Sequence, residues 1–223
     1  MTTFSLIAKQ DYLEKVARTR DPIRAVSEFV WNSLDADASR VSAEFGLNVL
    51  GGIQEIIIRD NGAGISRVHA ARDFGNLGDS WKRTSHRSSK LQRALHGKEG
   101  RGRLRFFSLA DKACWRSVYK DNGSMQELVI EILAGALEKC DVSHAAPSSG
   151  AETGTVVELA PLKEHLTGCW AVRRSSNSTR SLLPTCCSIR TYRLRIMAAP
   201  SILRTLFFIH SSFQNRWSSV LVA

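Results

Sequence analysis

Apolar and polar residues follow helical spacing and then strand spacing over the first part of this 223-residue chain. Asp21 followed by Pro22 predicts a helix start, because Asp caps free backbone N–H groups and Pro fits the first helical position. This helix is expected to run to about Asp37. Alternating apolar and polar side chains over residues 40–48, and the return over residues 53–59, predict two strands.

Further strands follow this pair, with short helices before and between them. Helices are predicted at residues 66–74 and 103–110, and strands at residues 114–119, 125–133, about 137–142 and 155–159. Because helices come first and hairpins afterwards, the sheet should be mostly antiparallel with its helices on one face. The predicted fold class is therefore α+β, a two-layer α/β sandwich with a mostly antiparallel mixed sheet.

Residues 75–100, here named the lid segment, have no regular period, because glycines and serines interrupt them among many basic residues. This length is unusual for a connecting loop, and long loops are commonly functional. A mobile functional segment is therefore expected here.

The charge of the chain is concentrated at its C-terminal end. The formal net charge is +10, and residues 165–223 contain eight Arg but no Lys, Asp or Glu, so residues 1–164 carry only +2. No helical or strand period is sustained in this tail. Its composition is typical of an out-of-frame translation or of a basic, partly disordered extension. We therefore divide the chain into a folded domain, residues 1–164, and a basic atypical tail, residues 165–223.

Several classes of protein are not indicated by the sequence. No uncharged apolar run of 18 residues occurs and the N-terminus lacks a signal-peptide core, so no membrane segment is expected and a cytoplasmic location is the default. The five cysteines include no CxxC pair, which argues against a zinc site or a disulfide framework. The Walker A, GxGxxG and GxSxG motifs are absent as well.

Polar side chains share one face of the long predicted helix. Glu28 and Asn32 are four residues apart, and Asp35 lies one turn further along. A carboxylate beside a carboxamide suits a site that orients a water molecule and holds Mg²⁺. Polar residues at this spacing also form ordinary solvated helix faces, so both interpretations stay open for this motif alone.

Two glycine loops follow. Asp60 ends an apolar strand and precedes Gly62 and Gly64. A carboxylate at a strand end can accept a hydrogen bond from an exocyclic amine. The glycines allow the backbone to pass close to a flat ring. Residues 97–102 contain three glycines before a predicted helix, whose N-terminus favours phosphate groups. A plain hairpin turn and a flexible surface loop are the respective alternatives.

The elements occur in the order Glu-x-x-x-Asn-x-x-Asp-Ala, Asp-x-Gly-x-Gly, Gly-x-x-Gly-x-Gly and Gly-Thr before a strand. This order resembles the Bergerat ATP-binding fold of the GHKL superfamily (gyrase, heat-shock chaperone, histidine kinase, MutL) over roughly residues 20–162. Residues 75–82 are also similar to the lid start of the MutL and heat-shock-chaperone branches. The resemblance implies ATP and Mg²⁺ as ligands, and a homodimer or protein partner contacted through the lid.

The resemblance implies a role for each polar residue of the helix. Glu28 matches the general base that activates or orients the attacking water, and Asn32 matches the Mg²⁺ ligand. Asp35 stands where the family supports the helix and the nucleotide pocket. Histidine kinases of the superfamily generally lack a carboxylate at the position of Glu28, so a MutL-like or heat-shock-chaperone-like ATPase branch is favoured.

The resemblance also implies the contacts around the nucleotide. Asp60 matches the residue that recognises the adenine amine, and Thr155 matches the residue that joins the water network at adenine. The glycines complete the implied site: Gly62 and Gly64 make room for the base, and Gly97, Gly100 and Gly102 close the lid over the phosphates.

One part of the family's site has no match in the sequence. Hydrolysing members usually complete the site with a Lys or Arg from a following domain, which stabilises charge at the γ-phosphate in the transition state. That domain is expected to be absent or scrambled here, so slow turnover is expected. Lys82, Lys98 and Arg101 are the candidate substitutes.

Three functions stay open at this point. The first is a Mg²⁺-dependent ATPase or an ATP-driven conformational switch, in which ATP orders the lid segment. The second is an ATP-binding module that does not hydrolyse ATP, as a truncated remnant would be. The third is a nucleic-acid-binding protein, which the net charge suggests but the nearly neutral residues 1–164 argue against.

Overall fold

The computed structural model describes residues 8–48, 52–75, 87–96, 100–150, 152–164, 166 and 191–197. Its helices are α1 (Gln10–Ala17), α2 (Pro22–Asp35) and α3 (Arg67–Gly75), with the 3-10 helices η1 (Gly102–Ser108) and η2 (Ala134–Ala136). Its strands are β1 (Arg40–Leu47), β2 (Ile53–Asp60), β3 (Lys112–Asp121), β4 (Ser124–Leu133), β5 (Asp141–Val142), β6 (Ala146–Pro147), β7 (Gly154–Leu159) and β8 (Thr191–Met197).

These strands form one sheet in the order β5-β4-β3-β7-β2-β1-β8, with β6 also paired to β4. All of the described pairings are antiparallel. Strand β7 lies between β2 and β3 and so joins the two hairpins β1-β2 and β3-β4. Because Arg59 of β2 pairs with Val156 of β7, the end of β2 lies beside the start of β7. The predicted α+β class is confirmed.

One face of the sheet is covered by the helices, and alternate strand residues pack beneath them. Trp115 of β3 lies at the centre of this core, with its ring 6.4 Å from that of Phe29 in α2, 5.1 Å from that of Phe74 in α3 and 6.4 Å from that of Phe106 in η1. Phe29, Trp115 and Phe106 are all buried. A single strand residue therefore fixes three helices relative to the sheet.

Helix α2 begins where the sequence predicts. The Asp21 side chain accepts hydrogen bonds from the backbone N–H groups of Ile23 and Arg24, at 2.9 and 3.2 Å, and Pro22 occupies the first turn. The helix ends at Asp35, two residues before the predicted end, because Asp37 has a φ of 61° that helical backbone does not adopt. The Asp21 cap therefore fixes where α2 begins, and the helical spacing then places Glu28 and Asn32 on one face.

The predicted strand near residues 137–142 is wrong except for its last two residues, which form β5. The Gln10 side chain hydrogen-bonds the backbone at the start of this segment. Its Oε1 accepts from the Leu137 N–H at 2.7 Å, and its Nε2 donates to the Ala134 carbonyl at 2.8 Å. These groups therefore bind α1 instead of a neighbouring strand. The predicted helix at residues 103–110 is the 3-10 helix η1.

A second long-range contact joins helix η1 to the N-terminal helix α1. The Arg105 guanidinium donates to the carbonyls of Val16, Ala17 and Arg18, at 3.1, 3.3 and 3.0 Å. These carbonyls belong to the end of α1, where helix backbone lacks its own partners. Helix η1, which directly follows the glycine loop, is therefore held between α1 and α2.

The C-terminal tail contributes β8, which pairs with β1 from Arg40 to Gly46. No period is sustained over the tail as a whole, but within this short stretch Tyr192, Leu194 and Ile196 alternate with Arg193 and Arg195, as strand geometry requires. The rest of residues 167–223 lies outside the described residues. No helix in the described ranges is long and apolar enough to cross a membrane.

We predict that Asp21→Ala lowers the free energy of unfolding by about 1 kcal/mol, because two N–H groups of α2 lose their acceptor. Urea unfolding followed by circular dichroism measures this change. Asp21→Ser is the matched control, since Ser also caps helices, and it should retain most of the stability. Equal losses in both variants would contradict a capping role.

Candidate functional site

A cavity of about 820 Å³ lies between α2, α3, the end of the lid segment and strands β3 and β7. Most of the residues chosen from the sequence line it: Glu28, Asn32, Asp35, Asp60, Gly64, Gly100, Gly102 and Thr155. Gly62 lies in the loop beside Asp60, and Gly97 lies outside the described residues, as do Lys82 and Lys98. The fold therefore brings together the separate sequence motifs around one cavity.

Asp60 forms the centre of one end of this cavity. Its Oδ1 accepts hydrogen bonds from the N–H groups of Gly62 at 2.8 Å and Thr155 at 3.2 Å, and its Oδ2 accepts from the Ser33 hydroxyl at 2.8 Å. Burial raises the pKa of Asp60 above its ordinary value, although the three hydrogen bonds act in the opposite direction. A carboxylate with a fixed orientation therefore lies at the cavity wall.

Two buried hydroxyl groups support this end of the cavity. Ser117 and Thr155 are hydrogen-bonded to each other at 2.9 Å between Oγ and Oγ1, and the Ser117 hydroxyl also accepts from the Ile65 N–H at 2.7 Å. Ser117 and Ser33 were missed by the sequence reasoning. Nothing local marks them, because their partners come from distant strands and loops.

Glycines allow the backbone segments of this region to approach each other. A Cβ atom on Gly154 would collide with the Asp60 carbonyl, and one on Gly62 would lie 2.7 Å from the Ala36 carbonyl. Gly64 has a φ of +74°, and a Cβ atom there would collide with the Val118 carbonyl. Protein backbone therefore already occupies the space that these side chains would need.

At the other end of the cavity, the glycine loop lies directly on α2. A Cβ atom on Gly102 would lie 2.8 Å from Oε2 of Glu28 and 3.6 Å from Nδ2 of Asn32. None of the described residues forms a hydrogen bond or ion pair with the Glu28 carboxylate. Glu28 and Asn32 thus lie on one face of α2, as predicted, and that face points at the glycine loop rather than at bulk solvent.

Residues 87–96 of the lid segment dock on the C-terminal end of α2. The His96 N–H donates to Oδ1 of Asp35 at 3.0 Å, and the His96 ring stacks on Trp31 with centroids 3.7 Å apart. Asp37 accepts from the N–H groups of Lys90 and Leu91 at 2.8 and 3.1 Å. The sequence pointed to Asp35 but missed Asp37, whose acceptor role depends on a turn more than 50 positions away.

Five arginines also line the cavity: Arg24, Arg72, Arg101, Arg103 and Arg105. Of these, Arg101 alone was singled out from the sequence. Arg101, Arg103 and Arg105 alternate along the chain at the end of the glycine loop and into η1, a signal that was present in the sequence. Burial lowers the pKa of Arg103, because it disfavours the charged form of the guanidinium.

We predict that Gly64→Ala destabilises the protein more than Gly123→Ala. Both glycines have positive φ, +74° and +88°, but a Cβ atom on Gly123 would enter open space. Gly123→Ala should therefore lower the free energy of unfolding by about 1–2 kcal/mol from backbone strain. Gly64→Ala should lower it by about 1–3 kcal/mol more, because the backbone is forced to shift. Urea unfolding measures both changes. Equal losses would mean that the contact with Val118 is unimportant.

One family model and one solved structure are similar to this chain. A family model described as "Histidine kinase-, DNA gyrase B-, and HSP90-like ATPase" matches residues 21–153. Among solved structures, the ATPase region of Saccharomyces cerevisiae topoisomerase II is similar, with 14% identity and a TM-score of 0.45 over 63% of this chain and 38% of that chain. No curated protein matches the sequence. Because the family model matches more than half of the chain, the protein belongs to the histidine kinase-, DNA gyrase B- and HSP90-like ATPases.

Proposed function

We propose that this protein is a Mg²⁺-dependent ATPase that binds adenine at Asp60 and the γ-phosphate near Glu28 and Asn32. The observation that supports this most directly is one cavity of about 820 Å³ with the partly buried Asp60 carboxylate at one end and the Glu28 and Asn32 pair at the other. The two ends of the cavity are therefore polar, as are the base amine and the phosphates at the two ends of a nucleotide. The Glu28 carboxylate favours the hydrolysing, MutL-like or heat-shock-chaperone-like branch of the family.

At the adenine end, the Asp60 carboxylate accepts a hydrogen bond from the exocyclic amine. Its three existing donors hold the carboxylate in one orientation, so little side-chain freedom is lost on binding. Apolar side chains of Phe29, Ile65 and Val157 also line the cavity and suit the faces of a flat ring. The Thr155 hydroxyl, held by Ser117, adds a polar group beside the base.

At the phosphate end, the Glu28 carboxylate accepts a proton from a water molecule. The water oxygen forms a bond to the γ-phosphorus, the bond between that phosphorus and the bridging oxygen of ADP breaks, and inorganic phosphate and ADP leave. Mg²⁺ would be held by the Asn32 carboxamide together with phosphate oxygens, a donor set that suits this cation, and it would neutralise phosphate charge. The Gly102 backbone covers this end and excludes water from one side.

The same helix connects the nucleotide to the lid segment. Helix α2 carries Glu28 and Asn32 in its middle, and its C-terminal end binds residues 87–96 through Asp35 and Asp37. A nucleotide that orders the glycine loop therefore acts next to the lid's own attachment points. We infer that ATP controls the position of the lid segment, and that a second copy or a protein partner is contacted through it.

Asp60→Asn should weaken ATP binding about tenfold to a hundredfold, the loss expected for one hydrogen bond to a charged group. Calorimetric titration with ATP and Mg²⁺ measures this. In the wild type, binding should also decline on acidification at a higher pH than an ordinary Asp would give, because the pKa of Asp60 is raised and the protonated acid is a poor acceptor.

The same variant, which should weaken ATP binding, is not expected to lower the stability of the protein. With a raised pKa in the folded state, Asp60 binds more protons folded than unfolded, so its contribution to stability falls as pH rises through the window above 3.8. Asp60→Asn should therefore leave the thermal midpoint of the protein without ligand, at pH 7, unchanged or higher. A variant that is both unfolded and inactive would contradict the proposed role in recognition.

Glu28→Gln should reduce turnover by at least about a hundredfold, the usual contribution of a general base, while ATP affinity changes little. Phosphate release at saturating ATP and calorimetric affinity are the two measurements. Glu138→Gln, at an exposed position between η2 and β5, is the matched control and should behave as wild type. Wild-type protein that binds ATP without measurable phosphate release would support the non-hydrolysing alternative instead.

A further inference from the structure

The Ser33 hydroxyl lies between two possible acceptors. Ser33 is buried on α2, and its Oγ lies 2.8 Å from Oδ2 of Asp60 and 3.2 Å from the carbonyl oxygen of Phe29, one turn earlier on the helix. A serine hydroxyl has one hydrogen to donate. Carbonyl groups inside an α-helix already accept from the N–H group four residues later, so the Phe29 carbonyl does not depend on this hydrogen. The shorter contact, with a charged acceptor, therefore receives it.

The two carboxylate oxygens of Asp60 are held in different ways. Oδ1 accepts from the backbone N–H groups of Gly62 and Thr155, at 2.8 and 3.2 Å. Those donors belong to the loop after β2 and to the start of β7, and they depend on no side chain. Within the described part of the chain, the donor to Oδ2 is the Ser33 hydroxyl. The position of Oδ2 therefore depends on one side chain of α2.

Ser33 also joins the two ends of the cavity. It directly follows Asn32 on α2, and the Gly102 backbone lies against Asn32 and Glu28 at the phosphate end. Asp60 ends β2, at the adenine end. A hydrogen bond from α2 to the end of β2 therefore fixes the acceptor at the adenine end relative to the helix that carries the groups of the phosphate end. A ligand that spans the cavity meets both ends already positioned, which reduces the entropy lost on binding.

We propose, building on the nucleotide site proposed above, that Ser33 is the positioning residue of base recognition: its hydroxyl aligns the Asp60 carboxylate so that Oδ2 accepts from the amine of the base. Each carboxylate oxygen has room for two donors, so the serine and the amine occupy Oδ2 together. Ser33 acts through Asp60. The hydroxyl thus adds to the preference for a base that carries an amine, and not to the binding of the phosphates.

The charge of Asp60 gives this role a measurable consequence. Burial raises the pKa of Asp60, and the hydrogen bond from Ser33 is one of three that lower it. Loss of the hydroxyl should raise the pKa further, because the charged form loses a donor. The other titratable groups that line the cavity are Glu28, Asp35 and Asp37 on and after α2, and His69 and Asp73 on α3, together with the five arginines described above. They are unchanged when Ser33 is replaced, so the difference between the two titrations reports the hydroxyl.

The first measurement follows Asp60 without any nucleotide, by nuclear magnetic resonance of the full chain with isotope-labelled aspartate. The carboxyl resonance that Asp60→Asn removes belongs to Asp60. In Ser33→Ala this resonance should titrate at a higher pH than in the wild type. Ser27→Ala is the matched control, because Ser27 lies on the same helix and its hydroxyl donates to the Ile23 carbonyl at 2.8 Å. This control should leave the titration of Asp60 unchanged.

The second measurement compares two nucleotides by calorimetry with Mg²⁺: ATP, and the triphosphate of purine riboside, which lacks the exocyclic amine. Ser33→Ala should weaken ATP binding about tenfold, the loss expected for one hydrogen bond to a charged group. It should change the affinity for the amine-free analogue little, and Ser27→Ala should change neither affinity. Ser33→Cys keeps a side chain of similar size with a weak donor. It should shift both measurements in the same direction, and it replaces Ser33→Ala if that variant does not fold.

The outcomes are distinct for this proposal and for the ATPase function. An unchanged titration of Asp60 in Ser33→Ala, an unchanged preference for ATP over the analogue, or equal losses of both nucleotides would each overturn the role of Ser33 while the nucleotide site stands. ATP binding that depends on Ser33, without phosphate release by the wild type, would support the proposal and overturn the ATPase function. A wild-type protein that binds neither nucleotide would overturn both.

Discussion

The Asp60 carboxylate is the interaction on which the site depends, because its three hydrogen bonds join three separate parts of the fold. Ser33 donates from α2, Gly62 from the loop after β2, and Thr155 from the start of β7. Burial alone would disfavour a charged group at this place. The three donors hold a carboxylate at the cavity wall that would otherwise be protonated more readily, and they do so only when helix, loop and strand are all in position.

The insertion of β7 between β2 and β3 is what makes this arrangement available. Residues almost 100 positions apart meet there, since Thr155 comes beside Asp60 and, through its hydroxyl, beside Ser117 of β3. Gly154 allows the close approach, because any side chain at that position would collide with the Asp60 carbonyl. The short Gly-Thr sequence is thus explained by strand packing first, and the place of Thr155 beside Asp60 at the cavity wall follows from that packing.

Local sequence patterns were sufficient to predict the parts of the structure that are themselves local. The Asp21 cap and the four-residue spacing of Glu28 and Asn32 need only the geometry of one helix, and both are found as predicted. The strand at residues 137–142 was predicted wrongly because Gln10, more than 120 positions away, binds that backbone. Where a backbone group has a distant side chain as its partner, local periodicity carries no information about it.

Arg103 illustrates the same limit for function. In the sequence it is one of several basic residues at a glycine loop, and only the fold reveals that its guanidinium carbon lies 5.4 Å from the centroid of the Phe74 ring. Asp60 and Arg103 both line one cavity, and burial disfavours the charged form of each. A ligand that donates a hydrogen bond to the carboxylate and brings negative charge near the guanidinium suits this wall. Stability and ligand occupancy should therefore be linked in this domain, because a ligand that binds only the folded state stabilises it.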